Sequence, residues 1–209
     1  MIFAQSQSGK GVVILNNEEV IFGIVDYHQE YEMVSVTRNG KELAYNATQV
    51  KIFQYYDQEK SLNRIYRPFI ASSITRYAFL DAPEFFEMVL LDDVTILRKM
   101  KTIIIDPNPE NDKSPTHVQD ILPRKAEAID YDYYVSIDGM EASLIKNFQR
   151  QVIDKLPSIY HASLTQFVAE NNLYLKNWTD QFELLEYYQQ IKENASEGPA
   201  YYIAEPIKL

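Results

Sequence analysis

Tyr31-Glu32-Met33-Val34-Ser35-Val36-Thr37-Arg38-Asn39-Gly40-Lys41-Glu42-Leu43-Ala44-Tyr45 decides the class of fold. From Tyr31 to Thr37 the residues alternate, which puts Val34 and Val36 on one face of an extended segment and Ser35 and Thr37 on the other. Asn39-Gly40 supplies the two residues that accept positive φ, so the chain reverses there in a tight primed turn. Leu43 and Tyr45 belong to the returning strand. The start of this chain is therefore an antiparallel meander and not a helical bundle.

Upstream, Val12-Val13-Ile14-Leu15 and Glu19-Val20-Ile21-Phe22-Gly23-Ile24-Val25 flank a turn at Asn16-Asn17-Glu18. The second stretch is almost continuously apolar, the pattern of a strand covered on both sides or set in a barrel wall. Gly23 marks a bend or bulge in it. Downstream, Val50, Ile52, Phe53 and Tyr55 form another strand. Residues 85–101 read as a second hairpin turning at Asp92-Asp93, with Ile103-Ile104-Ile105 adding a short strand. So many short strands in about 100 residues hide their edges best in a small barrel or a curled sheet.

Residues 106–127 change character, with Pro107, Pro109, Pro115 and Pro123 among polar residues, and read as an acidic linker or loop. Tyr131–Ile137 is one more strand, ended at Asp138-Gly139. Beyond Glu141 the period becomes helical. Leu144, Phe148, Val152 and Leu156 recur every four residues, and Pro157 stops that helix. A second helix spans Ser158 to Glu170, and a third runs from about Thr179 to Glu193 with Asn177 or Thr179 able to cap it. The expected architecture is α+β. A tail or signal remnant covers 1–8 and a β-rich module 9–105, where a meander or small barrel carries a further hairpin. After the 106–127 linker, residues 128–209 hold a short strand and about three helices.

Composition narrows the function. The chain has 209 residues and 46% hydrophobic residues, enough for a normal core. Its formal charge of −10 repels polyanions, so nucleic acid is not an expected partner. With no Cys there is no disulfide, thiolate nucleophile or Cys-ligated zinc. No run of 18 apolar residues suggests a membrane-spanning helix. The 16 Tyr and 10 Phe suit strand surfaces, core packing and protein or glycan contacts.

Motifs that carry chemistry are sparse. The 6 Gly build no phosphate-cradling loop, and neither a G-x-S-x-G elbow nor an H-E-x-x-H pair exists. His28, His117 and His161 lie far apart. Asp26, His28, Glu30 and Glu32 would project from one face of an extended strand and offer hard ligands plus an imidazole, and are the metal candidates. The same stretch also reads as a solvated connection between strands. Asp106-x-Asn108-x-Glu110-x-Asp112 copies the opening of a calcium loop, but Asn111 and His117 stand where Gly and Glu are needed. Glu84, Glu87, Asp92, Asp130 and Asp132 offer carboxylate pairs for glycoside chemistry, although 30 acids guarantee some pair by chance. Arg64, Arg67 and Arg76 around Pro68-Phe69 suit an anion or, equally, surface ion pairs. Trp178, the one Trp, reads as an anchor for the helix it precedes. No catalytic residue and no cofactor is assigned.

Met1-Ile2-Phe3-Ala4 followed by Gln5-Ser6-Gln7-Ser8-Gly9 reads like the end of a secretory signal. Gly11–Leu15, Phe22–Tyr27, Tyr45–Phe53, Phe85–Leu90, Phe167–Leu173 and Leu184–Tyr188 together resemble uncharacterised exported proteins of Bacteroidetes-type bacteria, in which a strand-rich module precedes a hairpin and a helical tail. That resemblance implies a periplasmic or secreted location and supplies no catalytic residue. The expectation is a non-enzymatic cell-envelope protein that binds another protein or a glycan. The alternatives are a carboxylate-dependent carbohydrate hydrolase and a cytoplasmic interaction module.

Overall fold

The computed structural model describes residues 7–72, 82–90, 94–105, 126–137, 139 and 141–195. The expected signal remnant up to Ser6, the turn at Asp92-Asp93, Arg76, and the calcium-like stretch with His117 lie outside the described residues.

Among the described residues ten strands form one sheet: β1 Gln7–Leu15, β2 Val20–His28, β3 Met33–Arg38, β4 Lys41–Asn46, β5 Val50–Asp57, β6 Leu62–Ala71, β7 Glu84–Leu90, β8 Thr95–Ile105, β9 Ala126–Ser136 and β10 Glu141–Leu144. Their order is β10-β9-β8-β7-β6-β5-β1-β2-β3-β4. The β3–β4 reversal falls at Asn39 (φ 52°) and Gly40 (φ 74°), which the primed turn requires. Gly23 makes no bulge. It sits in regular register opposite Gly11, where a Cβ would meet the Thr37 carbonyl oxygen at 2.4 Å. The strands pass too close there for any side chain.

An additional parallel pairing of β10 with β6, Glu141 beside Ile70 and Ala142 beside Ala71, closes β6 to β10 into a ring. Phe69, Phe86, Leu97 and Ala142 meet inside it with Tyr134 packed against them. Closure thus takes place where the sequence suggested only a hairpin, and it uses residues placed beyond the linker.

The helical reading of Leu144 to Leu156 is corrected. Leu144 ends β10, paired with Tyr134, and Asn147 then caps the single turn α1 Phe148–Gln151 by accepting from Arg150 N–H. A 3₁₀ turn at Ile153–Lys155 completes the segment. The four-residue period survives only as burial of Phe148, Val152 and Leu156. Helices α2 His161–Glu170 and α3 Trp178–Ala195 match expectation, and Asn177 Oδ1 accepts from Asp180 N–H at 2.8 Å as the cap of α3. Leu164, Leu184, Leu185 and Tyr188 lay this layer over Ile96 and Val135. Trp178 anchors α3 as expected, its ring 3.8 Å from that of Tyr133.

β7 is shared between cores. Phe85 points to the first, with Val25, Tyr27, Val36, Phe53 and Tyr66, and its neighbour Phe86 points into the ring. Alternation along one strand therefore joins the two halves of the molecule.

Candidate functional site

Two features of the surface are candidates: a charged cleft and an apolar sheet face.

The cleft opens where β2, β6, β7, β8 and β9 converge, with an empty space, mouth included, of about 250 Å³. Tyr27, Arg64, Tyr66, Glu87, Arg98 and Lys99 are among its lining. The pairing register brings them together: Tyr66 stands opposite Glu87, and Glu87 opposite Arg98. The buried Glu87 carboxylate accepts from Arg64 Nη1 at 3.0 Å to both oxygens and from Arg98 Nε and Nη2 at 2.7 Å each. Arg64 Nε also donates to Asp57 Oδ2 at 2.7 Å. Burial opposes the Arg64 charge, but Glu87 and Asp57 more than offset it and raise its pKa further. Burial likewise works against the Asp57 carboxylate, yet the bonds from Arg64 and the Lys60 N–H hold it below its ordinary pKa. The Arg98 guanidinium lies 4.4 Å from the Tyr131 ring centre, a cation–π contact.

At the rim, Lys99 Nζ donates to Glu32 Oε1 at 2.6 Å and to Glu84. The other Glu32 oxygen accepts from Phe85 N–H at 2.8 Å and Tyr27 O–H at 3.4 Å. A general acid or base needs a proton-exchanging atom free to reach a substrate. Both oxygens of Glu87 and of Glu32 are instead held by protein donors, and Arg64, Arg98 and Lys99 are all paired. Chemically, this arrangement holds strands together.

The metal candidates separate. β2 ends at His28, and Gln29–Tyr31 turns as 3₁₀ helix, so the four residues do not share one extended face. His28 Nε2 sits 3.2 Å from Ser35 Oγ, Glu30 is exposed, and Glu32 adopts φ 49° and turns into the cleft. Among the described residues no group of three His, Asp or Glu is arranged to hold a metal ion. The other carboxylates named from sequence are also placed: Glu84 on Lys99, and Asp130 and Asp132 on Lys101. Arg67 lies over Phe69 and not beside Arg64 as an anion clamp. His161 Nε2 is 3.0 Å from the Leu156 carbonyl oxygen, a bond that ties α2 to the preceding turn.

Sequence reading missed Glu87 and Arg98 as a pair. The available signal was one charge inside Phe85-Phe86-Glu87-Met88-Val89, where a half-buried strand needs a reason to hold it.

The second feature is the outward face of β1, β2, β5 and β6. Register places Ile52, Ile14 and Val20 in one row, and Gln54, Val12 and Phe22 in the next, with Ile65 beside Gln54. Residues directly opposite in antiparallel strands share a face, so these side chains form one apolar patch. None of these six apolar residues belongs to the first core, yet Val12 and Ile65 are buried and Ile14 and Ile52 half-buried, so the open part of the face lies on β2. Val20, Phe22 and Ile24 are 45%, 43% and 47% exposed.

Comparison with protein-family models, with curated proteins and with solved structures returns no match. Among the described residues no helix is long and apolar enough to cross a membrane.

Proposed function

We propose that the protein is a non-enzymatic, exported cell-envelope protein that binds another protein through the exposed apolar row of β2. One observation carries the binding part: Val20, Phe22 and Ile24 stand in line on β2 with nearly half of each side chain in water, beside the half-buried Ile14 of β1. Single exposed apolar residues are ordinary, but a contiguous row of them on a sheet marks an interface. The patch is mostly aliphatic, which favours a protein over a glycan, because sugars are held by aromatic platforms flanked by hydrogen-bonding groups. The cleft supports the non-enzymatic part, since its carboxylates are bound to Arg, Lys and backbone donors. Export rests on the family resemblance of the strand and tail segments.

The test compares wild type with the double variant Phe22→Ser, Ile24→Ser, after chemical crosslinking in native cells and fractionation. The variant is expected to stay folded by circular dichroism and to lose the wild type's crosslinked species, which should lie in the envelope or secreted fraction. Unchanged crosslinking overturns the binding face. Recovery from the cytosol alone overturns export, and turnover of any substrate that one carboxylate change abolishes overturns the non-enzymatic reading.

A further inference from the structure

We infer that the exposed row of β2 takes a short extended segment of a partner protein, which adds to the sheet as a strand beside residues 20–22. The strand is the form taken by the binding proposed above, on which it rests.

The row is open because β3 is shorter than β2. Pairing between the two runs from His28, opposite Met33, to Ile24, opposite Thr37, and the chain then reverses at Asn39-Gly40. Residues 20–23 of β2 therefore have β1 on one side, where Ile14, Val13, Val12 and Gly11 stand opposite them, and no described strand on the other. The phase of the ladder fixes where their main-chain groups point. The Glu19 carbonyl oxygen accepts from Leu15 N–H at 2.9 Å, so it faces β1. Bonding direction alternates along an antiparallel strand, so Ile21 also faces β1, while Val20 and Phe22 direct N–H and C=O to the open side. The β3 side agrees. Its tight turn makes Arg38 with Lys41, and hence Val36 with Leu43, the bonded pairs, which leaves Thr37 to bond Ile24, two residues on from Phe22. Among the described residues no group bonds the outward N–H and C=O of Val20 and Phe22.

Unpaired main-chain groups beside exposed apolar side chains have the chemistry of a strand edge, and an extended peptide satisfies both. A strand laid there bonds Val20 and Phe22 and sets its own alternate side chains opposite theirs, on the same face of the sheet. A helix resting on the row would cover the side chains and leave the main-chain groups without a protein partner. The other free edge, β4, differs, because it carries Lys41 and Glu42, and charges of that kind guard an edge against pairing. Residues 20–24 hold no charge and no Pro. A second copy offers only its own residues 20–22, since its β3–β4 hairpin lies on the same side of β2. Such a contact falls far short of the ~800 Å² that each partner gives a stable interface. A loose segment of another protein brings no such hairpin.

The experiment places the photo-crosslinker p-benzoylphenylalanine at Phe22 of the full chain in native cells, with the exposed Tyr174 as control position, and identifies the joined peptides by mass spectrometry. The expected product, absent at position 174, is one segment of another protein with apolar residues at every second position. Val20→Pro then separates a paired strand from side-chain docking. It removes the outward N–H at the first residue of β2, a place where Pro is tolerated, and no described bond to β1 uses that group. With circular dichroism unaltered, the yield should fall by roughly fivefold or more, the weight of one hydrogen bond. Where Val20→Pro alters circular dichroism, the spacing in the joined peptide decides alone. Apolar residues at helical spacing, or an unchanged yield in folded Val20→Pro, overturn the strand and leave protein binding standing. Joining to a second copy, or within the same chain, overturns the partner segment. Identical products at both positions, or none at position 22, overturn the strand and the binding row together.

Discussion

Gly11 shows how tightly one residue can constrain this sheet. A Cβ built there would lie 2.0 Å from the Gln54 carbonyl oxygen and 2.8 Å from the Tyr55 Cα, both backbone atoms that cannot rotate away. Gly11→Ala must therefore push β1 from β5, and urea denaturation should show a loss of about 2–3 kcal/mol, the upper range for overpacking. Gly40 is the contrast. Its φ is 74° with open space around it, so Gly40→Ala should cost only about 1 kcal/mol, from backbone conformation alone. Equal losses would refute the close-approach account. Charged residues differ in the same way. Glu87→Gln leaves the buried Arg64 and the half-buried Arg98 without their shared anion and should cost about 3–5 kcal/mol, the range for breaking one side of a buried ion network. Breaking the exposed Lys51–Glu18 pair by Lys51→Ala should cost under about 1 kcal/mol.

Between neighbouring strands the aromatic stack sets the response to pH. Tyr27 of β2 lies 5.5 Å from Phe53 of β5 and 4.9 Å from Tyr66 of β6, ring centre to ring centre. Burial raises the pKa of Tyr27, Tyr55 and Tyr66 above the ordinary phenol value, and Glu32 adds to the effect at Tyr27. The unfolded chain then loses these protons first, near pH ~10, while the folded chain keeps them. Their contribution is complete below that pH and is lost as pH rises through the folded values. Lys99 acts in the same direction, because Glu32 and Glu84 outweigh its burial and raise its pKa. Asp57, held low by Arg64 against its own burial, contributes above pH ~3.9 and is lost as pH falls. Alkaline unfolding should therefore begin near pH ~10 and release several tyrosinates together, as read by ultraviolet absorbance and circular dichroism. Tyr27→Phe should raise the alkaline midpoint and weaken the fold by at most about 1 kcal/mol at neutral pH, since what it gives up is the long bond to Glu32. A lowered midpoint would contradict this. Local pattern made most strands and the two longer helices legible: alternation gave β3, Asn39-Gly40 the turn, and the apolar period α2 and α3, but β6 Leu62–Ala71 was not read as a strand, because Arg64, Arg67 and Pro68 interrupt its apolar pattern. β10 was not legible, because Glu141–Leu144 carries too few residues to show alternation and is held by β6, some 70 residues earlier. Glu87 was visible as an isolated charge in an apolar strand, but its partners come from β6 and β8, and single-strand pattern cannot supply them. The exposed row of β2 was half legible, since the continuous run through Val20–Val25 announced two apolar sides; that Val20, Phe22 and Ile24 stay partly in water required the fold.

Across the whole molecule, one strand decides whether the two halves melt together. β7 gives Phe85 to the first core and Phe86 to the ring, so neither core can lose it and remain packed. The ring is also closed by β10, which follows α1 to α3's supporting strand β9 in the sheet order, so the helical layer over Ile96 and Val135 depends on the same closure. If this shared wall couples the halves, a cavity on one side must be felt on the other. Phe86→Ala removes a ring that is 0% exposed and lies 4.9 Å from Tyr134, and should cost about 3–5 kcal/mol. Hydrogen exchange should then report the loss at Val13 and Val25 in β1 and β2 as fully as at Leu185 and Tyr188 in α3, because a cooperative unit opens as a whole. Protection that falls in α3 and stays at its wild-type level in β1 and β2 would instead make the ring with its helices one folding unit and the first five strands another, with Phe85 and Phe86 packed against cores that open separately.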